Sequence, residues 1–574
     1  MDWFALLCIP VLLAVLVSGK VSPVHAFFSL ASLFLFGGII DTQTFLTSFS
    51  NPALVTLILL LLASAAVEKS PLLNYLSDKI IVNNERTSFI RLTGISTVLS
   101  AFMNNTAVVS AFLATLTRQQ KIAPSRLLIP LSYASIFGGV TTLIGTSTNL
   151  VVNSFVVDAG LPPLSMFGFA WVGVPAALAC LIVLYLSSRR LPQTFFGNID
   201  IKNSYFLTVE VLAEADVAGK SIADSGFLRL DDLYLIEIQR DNHLISPVSP
   251  HERILPGDQL IFTGSIQNVS ALQSFKGLKI LGENAADILA SNLVEVVIAY
   301  ESDLVYKTLQ EINFRHQFDA GVVGLRRGNK RLTGRLGHIP LKVGDSLLLA
   351  VGSDFTTQPG LDEYFHVLSK RYQPAGLNNR QGMFAIGGFL VAILLATFNI
   401  LPLLHGLILL LGFYLVAGYL DMTELKRRFP FELLIIIGSA LAVSKGIESS
   451  GAALLIGRFM QYAFADVSVY VAFVGIFLMT VITTEIITNN AAAALSVPIA
   501  LSTASALGVS PEPFIMAVAY GASACFIMPF GYQTHLMVYS PGRYVVRDYM
   551  RVGIPVALCY AAVVLVLVPM FFPF

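Results

Sequence analysis

The chain has 574 residues, 55% of them hydrophobic and 13% charged, and its 36 Lys and Arg balance its 36 Asp and Glu. A mean hydropathy of +0.73 excludes an ordinary soluble globular protein, and the balanced charge points to no nucleic-acid partner. The four cysteines, Cys8, Cys180, Cys525 and Cys559, stand singly in apolar segments, without disulfide or metal-ligand spacing.

Apolar stretches fill residues 2–188 and 381–574 and are absent between them. The first opens at Trp3–Val17, which has no basic flank and reads as a retained span, although Val24-His25-Ala26 loosely resembles a cleavage site. Further on, Asn104-Asn105-Thr106-Ala107 interrupts an apolar run, followed at Thr141–Thr148 by the Gly, Ser and Thr content that breaks a span into two half-helices. The middle, about 197–373, carries ordinary charge density and alternating strand patterns such as Leu233–Gln239. It is duplicated. Gln239-Arg240-Asp241-Asn242 matches Arg326-Arg327-Gly328-Asn329, and Pro256-Gly257-Asp258 before Gln259–Thr263 matches Val343-Gly344-Asp345 before Ser346–Val351. The repeats divide near 285, and neither holds a dinucleotide-binding glycine turn. The second apolar block then restates the first: Asn489-Asn490-Ala491-Ala492 leads to a break at Pro529–Thr534, at nearly the same spacing.

Basic residues set the expected topology. With the insert in the cytoplasm, as Arg189-Arg190, Lys370, Arg371 and Arg380 suggest, Arg118, Lys121 and Arg126 fall inside, as do Lys69, Lys79, Arg86, Arg91 and Lys20. Lys426-Arg427-Arg428 and Arg543, Arg547 and Arg551 also fall inside; Lys445 and Arg458 are exceptions. This walk requires 92–117 and 467–501 each to enter and leave on one side, as re-entrant hairpins with the Asn pairs at their tips. The expected fold class is a polytopic α-helical membrane protein, an inverted-repeat transporter of two five-span halves with both termini outside, plus an α+β cytoplasmic insert. The expected domains are 1–190 and 380–574 for the transmembrane repeats, and 197–285 and 286–373 for the insert modules.

Polar backbone at membrane depth is tolerated where it is buried or lines a cavity. A hairpin tip offers amide N–H groups to an anion and carbonyl oxygens to a cation, and an Asn side chain offers both. The alternative is that these Asn residues only knit helices together. No Lys or Arg occurs in 92–116, in 127–188 or in 467–541. An anion held there lacks a protein countercharge, so a co-bound cation is expected to supply it.

On these tips and breaks the chain resembles the divalent anion:sodium symporters, whose tips carry Ser-Asn-Thr. The insert resembles paired TrkA-C (RCK-C) modules of the sulfate-type permease subgroup. The resemblance implies a homodimer with a scaffold domain and a mobile transport domain, sodium as coupling ion, and no organic cofactor. It assigns sodium to Asn105, Gly145 and Asn149, with Asn104 in the tip, and to Asn490 and Gly531, with Asn489 in the other tip. It assigns the anion to Asn105, Thr106, Thr146, Ser147, Asn490, Ala491, Tyr532, Thr534 and His535. The chain departs from the family where Asn104 and Asn489 replace tip serines, Ala491 replaces a threonine, and both breaks lack a proline pair. The lost hydroxyl and the bulk of Tyr532 favour a compact oxyanion, sulfate, over a dicarboxylate.

His535 stands where the family has Asn, and is either a proton-coupling group, an anion donor or a satisfied buried histidine. Glu485 reads as a helix-end or packing residue rather than a relay. The insert is either a structural lid or clamp, or a sensor of a small effector. A TrkA-C-regulated ion channel is the rival class, but no potassium-type filter sequence is present. An enzyme is not expected, since the insert has no nucleophile elbow, metal spacing or phosphate loop. The expected location is the cell (inner) membrane.

Overall fold

A computed structural model describes residues 2–18, 21–119, 121–194, 206–227, 230, 233–241, 243–245, 248–264, 272, 275–281, 293–299, 302–332, 336–351, 355, 361–368, 377–452, 455 and 468–574. The charge signals Lys20, Lys370, Arg371 and Arg458, the turn residue Asn242 and the division near 285 lie outside the described residues.

Among the described residues, ten α-helices precede the insert: α1 (Asp2–Ser18), α2 (Pro23–Phe36), α3 (Thr42–Phe49), α4 (Pro52–Glu68), α5 (Pro71–Ile80), α6 (Glu85–Ser100), α7 (Asn105–Arg118), α8 (Leu128–Gly139), α9 (Ser147–Asp158) and α10 (Ala170–Ser188). Those described after it are α11 (Asn379–Thr397), α12 (Leu403–Val416), α13 (Met422–Arg427), α14 (Phe431–Ser449), α15 (Val469–Ile486), α16 (Asn489–Leu507), α17 (Glu512–Ala522), α18 (Gln533–Tyr539) and α19 (Val546–Phe571). Punctuation in the sequence sets these limits. Pro23, Pro52 and Pro71 stand at helix starts, where no intrahelical N–H is missed. Asn51 accepts from the N–H of Ala53, and Asp41 from that of Thr44.

Six apolar stretches among the described residues are long enough to cross a membrane by length and composition: Thr42–Glu68, α10, α11, α15, α16 and α19. The remaining apolar helices are shorter, and α8/α9 and α17/α18 are each two pieces of an interrupted segment. Both arms around the second Asn pair, α15 and α16, have full spanning length, whereas α6 and α7 have 16 and 14 residues.

Helix pairing repeats between the halves. α6 packs on α8 as α15 packs on α17, and α8 on α10 as α17 on α19. The halves also interlock. α2 packs on α14 while α12 packs on α4, and α7 packs on α18 while α16 packs on α9. One continuous apolar core runs through both halves.

The insert forms two five-stranded antiparallel sheets. The first comprises β1 (Phe206–Val211), β2 (Leu233–Arg240), β3 (His243–Ile245), β4 (Gln259–Gly264) and β5 (Leu278–Leu281), ordered β3-β2-β4-β1-β5. The second comprises β6 (Leu293–Ile298), β7 (Ala320–Arg327), β8 (Lys330–Leu332), β9 (Ser346–Val351) and β10 (Phe365–Val367), ordered β10-β6-β9-β7-β8. Read from the other edge, the two orders are the same. Each sheet is pinned by the same ion pair: Arg240 to Asp258 and Arg327 to Asp345, both with Nε–Oδ1 at 2.8 Å. These carboxylate hydrogen bonds hold both guanidinium groups above their usual pKa.

Candidate functional site

Asn104 caps α7, its Oδ1 accepting from the N–H of Thr106 at 3.2 Å, so the chain turns sharply enough to leave Asn105 as the first helical residue. The second tip differs in its cap: Thr488 is the N-cap and makes no side-chain cap bond, and both Asn489 and Asn490 lie in the first turn of α16. The breaks lie between α8 and α9, and between α17 and α18. Their downstream pieces begin at Ser147 and Gln533.

The tips do not close only on their own breaks. Thr106 Oγ1 donates to Gln533 Oε1 at 3.1 Å, and the Asn105 amide lies 2.6 Å from the Tyr532 hydroxyl. Reciprocally, Asn489 Nδ2 donates to Thr148 Oγ1 at 2.7 Å, and Ser147 Oγ donates to Asn490 Oδ1 at 3.1 Å. The first tip therefore meets the second break, and the second tip the first break. This crossing fuses the two repeats into one cluster.

Asn105 is its most buried member apart from the breaks. In the orientation that satisfies both ends of its amide, Oδ1 accepts from the Tyr532 hydroxyl, while Nδ2 faces Ser100 Oγ, the Ser135 carbonyl at 3.0 Å and the Gly145 carbonyl at 3.2 Å. Turning that amide over directs four oxygens at one volume, a donor set that suits a hard cation. Gly145 makes the approach possible, since a Cβ there would lie 2.7 Å from the Gly139 carbonyl and 2.9 Å from that of Ser100. Asn149 is buried beside it, with Nδ2 donating to the Thr142 carbonyl at 2.8 Å and Oδ1 without a partner among the described residues. Among the described residues no cluster of three His, Cys, Asp or Glu could hold a metal, so any ion here is held by neutral oxygens.

Asn104, Thr106, Ser147, Asn489, Asn490 and Gln533 remain partly exposed. Asn104, Gly145, Thr146 and Ser147 line a cavity walled by Leu60, Leu61 and Ser64 of α4 and Phe389 of α11. Other expected residues lie behind this face. Ala491 is buried, and Gly531 sits where a Cβ would meet the Thr484 carbonyl and Cys525 Sγ. Thr534 and His535 turn to α8, where Ser132 Oγ lies 2.8 Å from Thr534 Oγ1 and 2.7 Å from His535 Nδ1. His535 Nε2 lies 2.8 Å from the Cys525 carbonyl, which can only accept, so the proton is on Nε2 and Nδ1 accepts from Ser132.

Sequence reasoning missed several participants. Ser100 and Ser135 supply oxygens around Asn105, and Gly139 leaves room for its side chain, but none of the three lies in a tip or break motif. Glu485, for which the sequence suggests a helix-end or packing role, accepts from the N–H groups of Phe526, Ile527 and Met528 at 2.8–2.9 Å, satisfying backbone that the second break frees. Its position matches Ser100 in the other repeat.

The family described as "Citrate transporter" (CitMHS) matches residues 12–521. A Chlamydomonas reinhardtii protein named as a candidate sulfur deprivation response regulator is 28% identical over 97% of this chain and 99% of its own length. An uncharacterized transporter of Synechocystis is 29% identical over 97% of this chain and 96% of its own. Sodium/sulfate cotransporter 1 of Chlamydomonas reinhardtii is 27% identical over 61% of this chain and 41% of its own.

Proposed function

The chain belongs to the citrate transporter family, and from that premise we propose that it imports a small divalent oxyanion, sulfate, by sodium symport. The observation that carries this reading is the crossed cluster: two Asn tips bonded to each other's breaks, with a ring of neutral oxygens at Asn105 and no Lys or Arg in the surrounding segments. An anion seated on tip N–H groups and hydroxyls there needs a mobile countercharge, and sodium matches the oxygens. Asn105, Gly145 and Asn149 hold one sodium, and Asn490 and Gly531 with Asn489 a second. Asn104, Thr106, Thr146, Ser147, Asn490 and Gln533 face the anion. Tyr532 narrows the site towards a compact oxyanion, and the buried Ala491 offers no second hydroxyl to a longer dicarboxylate. Thr534 and His535 support the second break from behind rather than touching the anion.

The recurring helix pairs support two oppositely oriented halves, with the Asn tips inside the membrane and the insert on the cytoplasmic side of the cell membrane. A homodimer whose mobile halves carry the cluster across as an elevator completes the reading. The identical strand orders support two TrkA-C-like modules in the insert.

The test is uptake of labelled sulfate into proteoliposomes with and without an inward sodium gradient. Saturable, gradient-dependent uptake is expected. Saturable succinate uptake that excess sulfate cannot inhibit would overturn sulfate as the substrate while leaving sodium coupling standing.

A further inference from the structure

The two insert sheets share one topology, but among the described residues only the second is seated on the helices of the site. The Gly328 N–H, in the β7–β8 turn, donates to Ser540 Oγ at 3.0 Å, just past α18. A Cβ on Gly328 would lie 2.6 Å from the Tyr539 ring, and one on Gly344 would lie 2.5 Å from the Leu536 carbonyl. On the neighbouring helix, Arg118 Nε donates to the Leu368 carbonyl at 2.7 Å, and Ser110 Oγ lies 3.4 Å from His366 Nδ1. Val297 and Leu368 are buried in the same core as the membrane helices.

The first sheet keeps its own separate core. Where the second has the face pair Val297 and His366, the first has Glu210 and Lys279, an exposed ion pair at 3.8 Å. Where the second has Gly328, the first has the exposed Asp241; at Gly257, the counterpart of Gly344, an added Cβ would meet no described atom within 4 Å. Among the described residues, its bond to the second sheet runs from Arg315 to the Val248 carbonyl. Among the described residues the two modules thus differ: the second is docked on the membrane helices, and the matching positions of the first make no such contact.

α18 has seven residues, far short of the length at which a helix stands alone, so tertiary contacts fix its position. It spans only about 10 Å, so a displacement at Ser540 is transmitted to Gln533 at its start. α7 and α18 are also the two helices whose first turns join at Asn105–Tyr532 and Thr106–Gln533. Resting on the reading of that cluster as the transport site, we infer that the second insert module is a buttress of the site: seated across α7 and α18, it holds their first turns in the register that pairs the first tip with the second break. The module therefore rides with the moving half and sets how well the first half-site binds.

Hydrogen exchange on the full-length protein in nanodiscs tests this, comparing the wild type with Gly328→Asp and with the Val297→Glu/His366→Lys double variant. Each gives the second module the residues of the first; Asp241→Gly is the control. The variants are expected to speed exchange at the docking face and, with it, about tenfold at residues 105–109 and 533–540. The sulfate and sodium half-saturation values should rise severalfold with a smaller change in turnover at saturation. The control should change neither. A docking face that opens while 105–109 and 533–540 stay protected would overturn the buttress, and so would a face that stays closed in both variants. The exchange measurement needs no substrate, so failure of sodium-driven sulfate uptake in the wild type would count against the transport reading alone.

Discussion

Lys445 Nζ lies 2.9 Å from Asp158 Oδ1, joining α14 to the end of α9. The lysine that broke the charge pattern of the sequence is therefore a paired one. Because α9 begins at the first break, the bridge ties the candidate site to a helix of the other half. Both partners are mostly buried, so removing one strands the other. Asp158→Asn is expected to cost about 1–2 kcal/mol, between the values for exposed and buried pairs. Thermal unfolding in detergent reads this loss, and the Lys445→Met/Asp158→Asn double variant should recover most of it. If α9 slides against α14 during transport, both variants should also alter turnover; unchanged turnover would place the two helices in one rigid body.

Asn105 joins one tip to both breaks, and Gly145 leaves no room for a side chain. Asn105→Ala should weaken sodium binding by about 10–100-fold, as loss of an ion ligand or its supporting partner does. Gly145→Ala should do so by pushing the Gly139 and Ser100 carbonyls apart. Sodium-dependent thermal stabilisation of the purified protein measures both without requiring transport. Equal stabilisation in wild type and Asn105→Ala would remove the ion from this position.

The Asn pairs and Gly-rich breaks were legible because a helix interrupted in an apolar segment must satisfy its freed backbone with small and polar residues. Leu233–Gln239 was legible as a strand from alternation and appears as Leu233–Arg240, while Ser346–Val351, legible from the repeat, appears with those limits. The crossing was not. Thr106 and Gln533 are 427 positions apart, and nothing local at either residue names the other. Nor did matched spacing show that Thr534 and His535 turn away to Ser132, since the rotation of α18 about its own axis decides which face they take. The duplication of the insert could be read from its turns, while its asymmetry depended on single substitutions such as Asp241 against Gly328, whose meaning lies in what each turn touches.

His535 has both ring nitrogens engaged, by Ser132 and by the Cys525 carbonyl. A proton added at Nδ1 would displace the hydrogen it accepts. His535→Asn should therefore retain the pH profile of transport while losing about 1–2 kcal/mol of stability from one broken buried bond. Uptake measured between pH 5.5 and 8.5, roughly the range in which imidazole titrates, checks it. A profile that flattens in the variant would restore proton coupling.

Docking of the second insert module should depend on pH through His366. Burial lowers its pKa from 6.5 to about 4, and the Arg118 guanidinium approaches the same strand. The docked state thus holds the neutral ring, whereas the undocked ring titrates normally. Docking is fully favourable above 6.5, weakens as pH falls by about 1.4 kcal/mol per unit, and levels off below about 4. Exchange at residues 365–368 should accelerate correspondingly on acidification, and His366→Gln should abolish that dependence.

Tyr532 places its hydroxyl 2.6 Å from the Asn105 amide and 3.3 Å from Thr146 Oγ1, where the first tip and both breaks meet. A hydroxyl both donates and accepts, so it can satisfy Asn105 in either amide orientation. If Asn105 turns Oδ1 to sodium as proposed, the hydroxyl changes from donating to Oδ1 to accepting from Nδ2. Tyr532→Phe removes that service while keeping the ring. The ion-free state then has an under-satisfied carbonyl, but the ion-bound state has a buried, orphaned N–H, which is the rarer and costlier defect. Sodium half-saturation should therefore rise about three- to tenfold, equivalent to about 1 kcal/mol, with a smaller change in unfolding temperature measured without sodium. Sodium titrations of uptake and of thermal stability should agree, and a Phe variant with wild-type sodium dependence would show that Asn105 does not turn its oxygen to an ion.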